Sequence, residues 1–130
     1  MTLPPYADLL GLTQERDAAG APVLLMPFGD DVIGRPGFLH GGAMGGLLEM
    51  AAIATLRHAL EASEAGEARI KPINLTVDYM RGGRDKVTRA KGLVRKLGRR
   101  IANVDAVAWQ DDAGSPIAAA RLTFLIVREE

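Results

Sequence analysis

The chain has 130 residues, of which 48% are hydrophobic, and its 16 basic and 16 acidic side chains balance to a net charge of zero. This length suits one domain over residues 1–130, with enough apolar side chains for a core. The neutral balance argues against a general nucleic-acid or membrane-surface binder. The chain has no cysteine, which excludes a disulfide, a thiolate nucleophile and an iron–sulfur site. The N-terminus lacks the pattern of a signal peptide, so we expect a cytoplasmic protein.

The first forty residues predict a short helix, a hairpin and a loop. Residues 4–11 begin with two prolines and end with Gly11, which is typical of a short helix. Residues 12–29 predict two strands around an Ala-Gly-Ala-Pro turn, with the second strand the more buried. Residues 29–40 are rich in glycine and predict a loop that leads into the next element.

The stretch from Gly41 to Leu56 carries one charge, that of Glu49. Apolar residues would cover every side of a helix here, which predicts a helix buried all round and running to about residue 63, with Gly66 as its stop. The run is too short and too rich in glycine to span a membrane. We expect Glu49 to be mostly buried, and a buried carboxylate is a functional-site candidate because its desolvation is costly.

Four glycines occupy the first two turns of this helix, although each glycine weakens a helix interior by roughly 1 kcal/mol relative to alanine. Gly41 and Gly42 would leave backbone N–H groups open to a ligand at the positive end of the helix dipole. Gly45 and Gly46 would let another backbone or a thin chain approach closely. Hydrolysis of an acyl compound needs such an oxyanion site together with a base or nucleophile. Packing alone could also require these glycines.

Four strand-like segments follow at 72–81, 86–97, 100–111 and 116–128, separated by short turns. Apolar and polar residues alternate in the first of them, which predicts a half-buried strand, and short turns require antiparallel pairing of successive strands. The result is an α+β domain in which a curved antiparallel sheet of about six strands wraps one long central helix. One sheet cannot cover a helix that is apolar all round, so we expect a homodimer.

His40-Gly41-Gly42, with an acidic residue nine positions after the histidine, resembles the signature of hot-dog-fold acyl-CoA thioesterases of the phenylacetate-degradation (PaaI-like) branch. The segment INLTVDYMR at 73–81 and the last two strands are also similar to that family. The resemblance implies that Gly41 N–H polarises the thioester carbonyl and that Glu49 acts as nucleophile or general base. It also implies a thioester at a dimer interface and dimers that pair into tetramers. Gly34 and Pro72 differ from the family, where many relatives carry Asn and Ser or Thr.

Eleven of the sixteen basic residues lie between Arg69 and Arg100, and this segment has a net charge of +9. An anionic ligand, such as the phosphates of coenzyme A, would suit basic side chains at turns beside strand ends. The sequence-based substrate contacts are Gly42, Met44, Leu48, Arg81, Arg84, Arg99 and Arg100. Most of the other basic residues, including Arg89, Lys91, Arg95 and Lys96, are interpreted as the solvated face of the sheet.

Several alternatives stay open from the sequence. His40 either takes part in the chemistry or forms a local hydrogen bond that fixes the loop before the helix. A metal centre has too few ligands, because His58 is the only other histidine and cysteine is absent, and no redox cofactor is implied. Gly34 and Pro72, in place of the family's Asn and Ser or Thr, leave open a non-catalytic acyl-CoA-binding dimer. A hot-dog hydratase or dehydratase ranks lower, because those sites usually have a different spacing and no such HGG helix start. The sequence does not identify the acyl group.

Overall fold

A computed structural model describes residues 3–63 and 68–128. The elements are α1 (Tyr6–Leu9), β1 (Thr13–Arg16), β2 (Pro22–Met26), a 3₁₀ turn (Asp30–Val32), α2 (Gly41–Ala62), β3 (Ala68–Tyr79), β4 (Thr88–Leu97), β5 (Ile101–Trp109) and β6 (Ala118–Arg128). All paired strands are antiparallel, in the order β1-β2-β4-β5-β6-β3. The predicted combination of one long helix and a six-stranded antiparallel sheet is confirmed.

Helix α2 ends at Ala62, with Ser63 as its C-cap, which confirms the predicted extent. The predicted stop at Gly66 lies outside the described residues. The helix packs on the inner face of the sheet, where fully buried side chains form the core, among them Leu47, Leu48, Leu56, Val104 and Phe124. Burying each such side chain contributes about 1.5–3 kcal/mol. The core therefore holds α2 firmly in place across the sheet.

Gly92 lets the middle of α2 approach strand β4 closely. A Cβ atom at this position would lie 2.6 Å from Thr55 Oγ1 and 3.2 Å from the Ala51 carbonyl oxygen. Both distances are shorter than ordinary contacts, so a larger residue would push the helix away from the sheet. A glycine in a strand interior commonly marks such a close backbone approach.

The connection from β3 to β4 is not a hairpin, although the short glycine turn favoured antiparallel pairing of these two strands. Strand β3 pairs with β6 instead, and β4 pairs with β2 and β5. Residues 80–87 cross the end of the sheet, held by hydrogen bonds from Leu39 N–H to Gly83 O and from Met80 N–H to Ile117 O, each 2.9 Å. Strand β3 is consequently an edge of the sheet.

Strand β3 exposes apolar side chains along this edge. Its register with β6 shifts between Pro72 and Asn74. After the shift, Leu75 and Tyr79 lie opposite buried residues of β6, so they share the inner, helix-facing side of the sheet. They are nevertheless 41% and 54% exposed. The predicted half-buried strand is therefore more open in the protomer than expected, because β3 has a neighbour on one side only.

Candidate active site

His40 is the N-cap of α2 and is held by the backbone around it. Its Nδ1 accepts a hydrogen bond from Gly42 N–H at 2.9 Å, and its own N–H donates to Val32 O at 2.8 Å. Its carbonyl accepts from the N–H groups of Ala43 and Met44, the first bonds of the helix. The local hydrogen bond expected of His40 is present, and a part for His40 in the chemistry stays a prediction. The prediction that Gly42 N–H is open to a ligand is wrong, because the imidazole already accepts it.

Gly41 N–H makes no hydrogen bond within the described part of the chain, in contrast to its neighbour. The carbonyl of the same peptide unit, His40 C=O, accepts the first helical bonds, so the direction of the N–H is fixed and points out of the helix start. Tyr79 Oη donates to Gly41 O at 2.8 Å and ties this turn to the end of β3. A single fixed donor thus remains at the positive end of the α2 dipole.

Glu49 lies two turns further along the same side of α2. Residues four apart repeat on one face of a helix, so Gly41, Gly45 and Glu49 form one line. Gly45 faces β3, since a Cβ there would lie 3.6 Å from Tyr79 Oη and 3.9 Å from Val77 Cγ2. Glu49 is half-buried and makes no hydrogen bond or ion pair with a described residue. The predicted deep burial is therefore only partly reached in the protomer.

The spacing along the helix separates the two candidate catalytic groups. Glu49 follows Gly41 by eight residues, which at 1.5 Å per residue is a rise of about 12 Å. The Gly41 N–H points away from the helix body, whereas the Glu49 side chain lies on its flank. Hydrogen bonding and attack each need about 3 Å between atoms. One thioester carbonyl cannot meet both groups of the same protomer.

The other helix residues that were predicted to contact the substrate are packed in the core. Met44 and Leu48 are core residues, 4% and 0% exposed, and their contact with an acyl group stays a prediction. A Cβ at Gly46 would lie 2.6 Å from a ring carbon of Tyr6, so this glycine makes room for α1 rather than for a ligand. Gly34 lies against the His40 backbone, where a Cβ would meet His40 Cα at 3.0 Å. A side chain such as Asn would therefore displace the N-cap in this chain.

Tertiary contacts divide the basic residues into paired and unpaired groups. Arg89, Lys91 and Arg95 form ion pairs with Glu15, Asp17 and Asp105, and Lys86 with Asp111. The interpretation of Arg89, Lys91 and Arg95 as part of the solvated face of the sheet is confirmed, and each of them meets an acid there. The predicted phosphate contacts have no ion pair with a described residue; they are Arg81, Arg84, Arg99 and Arg100.

These four arginines do not come together in the protomer. Arg81 and Arg84 follow β3 and lie at the α2 N-terminal end of the sheet, where Arg81 N–H donates to Ile117 O. Arg99 and Arg100 lie in the β4–β5 turn beside the other end of β6, since Arg128 Nε donates to Arg99 O at 3.2 Å. Strand β6 has 11 residues and spans roughly 35 Å at 3.4 Å per residue, so one ligand phosphate cannot reach both pairs.

Sequence reasoning missed three residues at this end of the molecule. Tyr79 fixes the first turn of α2, as described above. The alternation of apolar and polar residues in β3, which places Tyr79 on the helix-facing side, was the signal that could have identified it. Arg35 and Phe38 lie in the loop before His40, and the ring of Phe38 packs beneath two guanidinium groups. Within residues 3–63 and 68–128, no three His, Asp or Glu side chains are grouped as metal ligands. Independence from metals and cofactors stays a prediction.

Fold and site together define a hot-dog α+β protein with a fixed backbone donor and a carboxylate on its central helix. Residues 36–117, more than half of the chain, match the family described as the Thioesterase superfamily. The protein belongs to this superfamily. No curated protein gave a match.

Solved structures agree with this assignment. A Chromobacterium violaceum protein is 34% identical, with 97% of this chain and 85% of that chain covered and a TM-score of 0.74. A mutant thioesterase from Pseudomonas aeruginosa is 27% identical, with 94% and 85% covered and a TM-score of 0.78. A Bacillus halodurans protein solved with CoA is 19% identical, with 98% and 81% covered and a TM-score of 0.80, and shows the fold alone.

No helix in the described residues is both long enough and apolar enough to cross a membrane. The predicted cytoplasmic location stays a prediction.

Proposed function

We propose that this protein hydrolyses acyl-CoA thioesters to the free acid and CoA. The observation that carries the proposal is the fixed N–H of Gly41 at the start of α2, together with the carboxylate of Glu49 further along the helix, since neither group has a partner in the described part of the chain. Membership of the Thioesterase superfamily supports thioester hydrolysis in general. The B. halodurans structure with CoA shows that a protein of this fold can bind CoA, and we propose CoA as the thiol that leaves.

In the proposed reaction the thioester carbonyl oxygen accepts the hydrogen bond of Gly41 N–H. Glu49 either attacks the carbonyl carbon, forming a mixed anhydride that water then opens, or takes a proton from the water that attacks. Both routes expel CoA as a thiolate and place negative charge on the carbonyl oxygen. The positive end of the helix stabilises that charge, and one such donor contributes about 10²–10³-fold to the rate. A thioester is reactive enough for this small set of groups to suffice.

The functional unit in this proposal is a homodimer that pairs along β3. The rise of about 12 Å between Gly41 and Glu49 means that a complete site needs each group from a different protomer. Strand β3 is a long open edge beside this side of α2, and an antiparallel β3–β3 contact would cover its exposed Leu75 and Tyr79. Further pairing of dimers into tetramers, and membership of the PaaI-like branch, follow from the family resemblance.

The direct test is thiol release from a panel of aromatic and aliphatic acyl-CoAs by the wild-type protein and Glu49→Gln. Glutamine keeps the size of the side chain but can neither attack nor accept the proton, so turnover should fall by ~100-fold or more. The matched control is Glu61→Gln, an exposed carboxylate near the end of the same helix, which should leave turnover unchanged.

Equal activity of the wild-type protein and Glu49→Gln would remove Glu49 from the mechanism. A wild-type protein that binds CoA but cleaves no thioester in the panel would favour the non-catalytic acyl-CoA-binding dimer.

A further inference from the structure

Phe38 holds two arginine side chains at once. The guanidinium carbons of Arg35 and Arg84 lie 4.2 Å and 4.3 Å from the centroid of its ring. Arg35 belongs to the same loop as Phe38, whereas Arg84 comes from the loop between β3 and β4. A guanidinium group over the face of an aromatic ring is attracted by the negative charge of that face. These contacts restrict two long side chains that would otherwise be free.

Within residues 3–63 and 68–128, neither guanidinium group is neutralised by a carboxylate. Arg35 and Arg84 make no ion pair with a residue in the described ranges, and neither does Asp85, the acid that follows Arg84. The basic residues on the sheet face differ from them, since Arg89 and Arg95 each meet an acid. Both Arg35 and Arg84 are exposed, so two guanidinium groups at one ring, without a counter-charge among the described residues, can donate hydrogen bonds to an anion.

The loop that carries Arg84 is fixed by one side chain, that of Gln110. Its Oε1 accepts from Arg84 N–H at 2.9 Å, and its Nε2 donates to the carbonyl oxygens of Arg84 and Lys86 at 3.0 Å and 3.2 Å and to Thr88 Oγ1 at 3.1 Å. The loop therefore has a defined backbone although it contains no regular secondary structure. The backbone of Arg84 is therefore held in place before a ligand binds, which lowers the entropy lost on binding.

Arg84 also lies beside a cavity, and Phe38 lies close to the proposed active site. Arg84 lines a cavity of about 220 Å³ together with Arg81, Lys86 and Gln110. Two acids also line it, but Asp111 pairs with Lys86 and Asp112 accepts from Gly114 N–H at 3.0 Å. Phe38 precedes His40, the N-cap of α2, by two residues. A ligand that binds the pair thus lies at the same end of the molecule as Gly41 N–H.

We infer that Arg35, Phe38 and Arg84 form a clamp that binds a phosphate group of the nucleotide end of the thioester substrate. This inference rests on the proposed acyl-CoA function and adds the residues that hold the charged end. Guanidinium groups suit the role because they donate two parallel hydrogen bonds to phosphate oxygens while stacked on an aromatic ring. Arg35 and Arg84 contact the phosphate, and Phe38 is a positioning residue.

The test compares two thioesters with the same acyl group, one of CoA and one of N-acetylcysteamine, which has no phosphate. Arg35→Gln and Arg84→Gln should each raise KM for the acyl-CoA by ~10-fold with little change in kcat, as loss of one charge-assisted contact predicts. The kcat/KM for the N-acetylcysteamine thioester should not change. The matched control is Lys96→Gln, which removes an exposed charge on β4 that pairs with no acid in the described ranges, and it should behave as wild type.

Phe38 is tested by two substitutions that separate stacking from bulk. Phe38→Leu keeps an apolar side chain but loses the ring face, so KM for the acyl-CoA should rise while kcat is retained. Phe38→Tyr keeps the ring and should restore the wild-type KM. A merely structural role would instead lower kcat for both substrates and reduce the melting temperature.

Calorimetric titration with CoA, pantetheine and inorganic phosphate tests the clamp independently of turnover. CoA should bind the wild-type protein and lose about 10-fold or more in affinity with Arg35→Gln or Arg84→Gln, while pantetheine should not distinguish them. Tight binding of inorganic phosphate alone would show that the clamp serves free phosphate and would overturn the assignment to the substrate. Unchanged CoA affinity in both variants would overturn the clamp even if the protein proves to be a thioesterase.

Discussion

The two edges of the sheet are built differently. Strand β1 is a four-residue edge, Thr13–Arg16, with every residue polar and exposed. Strand β3 is a twelve-residue edge with exposed apolar side chains, among them Leu75 and Tyr79. Short charged edges resist pairing with another chain, whereas long apolar edges invite it. The β1 edge therefore ends the sheet, and the β3 edge is suited to a second copy.

The candidate active site lies beside the open edge. Gly41, Gly45 and Glu49 follow one line of α2 that faces β3, and Tyr79 of β3 is hydrogen-bonded to the first turn of that helix. At the other edge, the acids of the β1–β2 hairpin pair with basic residues of β4 and stabilise the sheet. One edge thus has a structural role, and the other is where association and catalysis would be coupled.

The largest effect is expected from a charge placed on the open edge. Leu75→Asp should prevent the proposed β3–β3 dimer from forming and reduce thiol release by ~100-fold or more, because in that proposal a protomer without its partner lacks one catalytic group. Sedimentation velocity and thiol release would measure both effects, with circular dichroism to verify folding. Thr13→Asp, the matched change on β1, should alter neither the oligomeric state nor thiol release. A folded, monomeric and fully active Leu75→Asp protein would show that each protomer has a complete site.

The second prediction tests whether the two groups come from different protomers. Gly41→Pro removes the donor N–H at the first helical position, where proline is well tolerated, and the His40 backbone angles of −67° and 132° suit a residue before proline. Gly41→Pro and Glu49→Gln should each be nearly inactive. Refolded together in equal amounts, they should recover about a quarter of wild-type activity, since half of the dimers then contain one intact site.

The control for this experiment is Gly41→Ala, which adds a Cβ atom but keeps the N–H and should retain far more activity than Gly41→Pro. If the mixture stays inactive although heterodimers form, both groups serve the same site from one protomer.

The smallest effect, a change in stability, is expected at the β1 edge. The hydrogen bond from Lys91, with those from Ala21 and Ala19 N–H, lowers the pKa of Asp17 below 3.8. Folding thus favours the ionised form, so its contribution to stability is complete above pH 3.8 and is lost as the pH falls through the lower folded pKa. Asp17→Asn, which keeps a turn-capping oxygen, should lower the urea midpoint modestly near neutral pH.

The difference in urea midpoint between wild type and Asp17→Asn should shrink when it is measured at a pH well below the pKa of Asp17 in the folded protein. Asp111→Asn removes another exposed ion pair and serves as the comparison. A gap between wild type and Asp17→Asn that does not depend on pH would mean that the charge of Asp17 is not what stabilises the hairpin.

The residues at and around the start of α2 show how far the candidate site could be predicted. His40, Gly41 and Glu49 were proposed as candidates from the helical pattern and the family signature, and the start of the helix could be predicted because helical periodicity depends on residues close in sequence. The use of Gly42 N–H by the imidazole was missed, since a side chain that caps its own helix competes with a ligand for the same donor. Arg35 and Phe38 were missed because their partner, Arg84, comes from a distant loop.

The sequence by itself determined the long apolar helix from Gly41, the β1–β2 hairpin and the approximate positions of the later strands, since these depend on local periodicity and turn residues. Only the tertiary structure decided that β3 leaves β4 to pair with β6 and becomes the open edge. It also decided which basic residues meet acids and which stay unpaired. Such choices join residues far apart in sequence, and the free energy of long-range packing, not local propensity, selects among them.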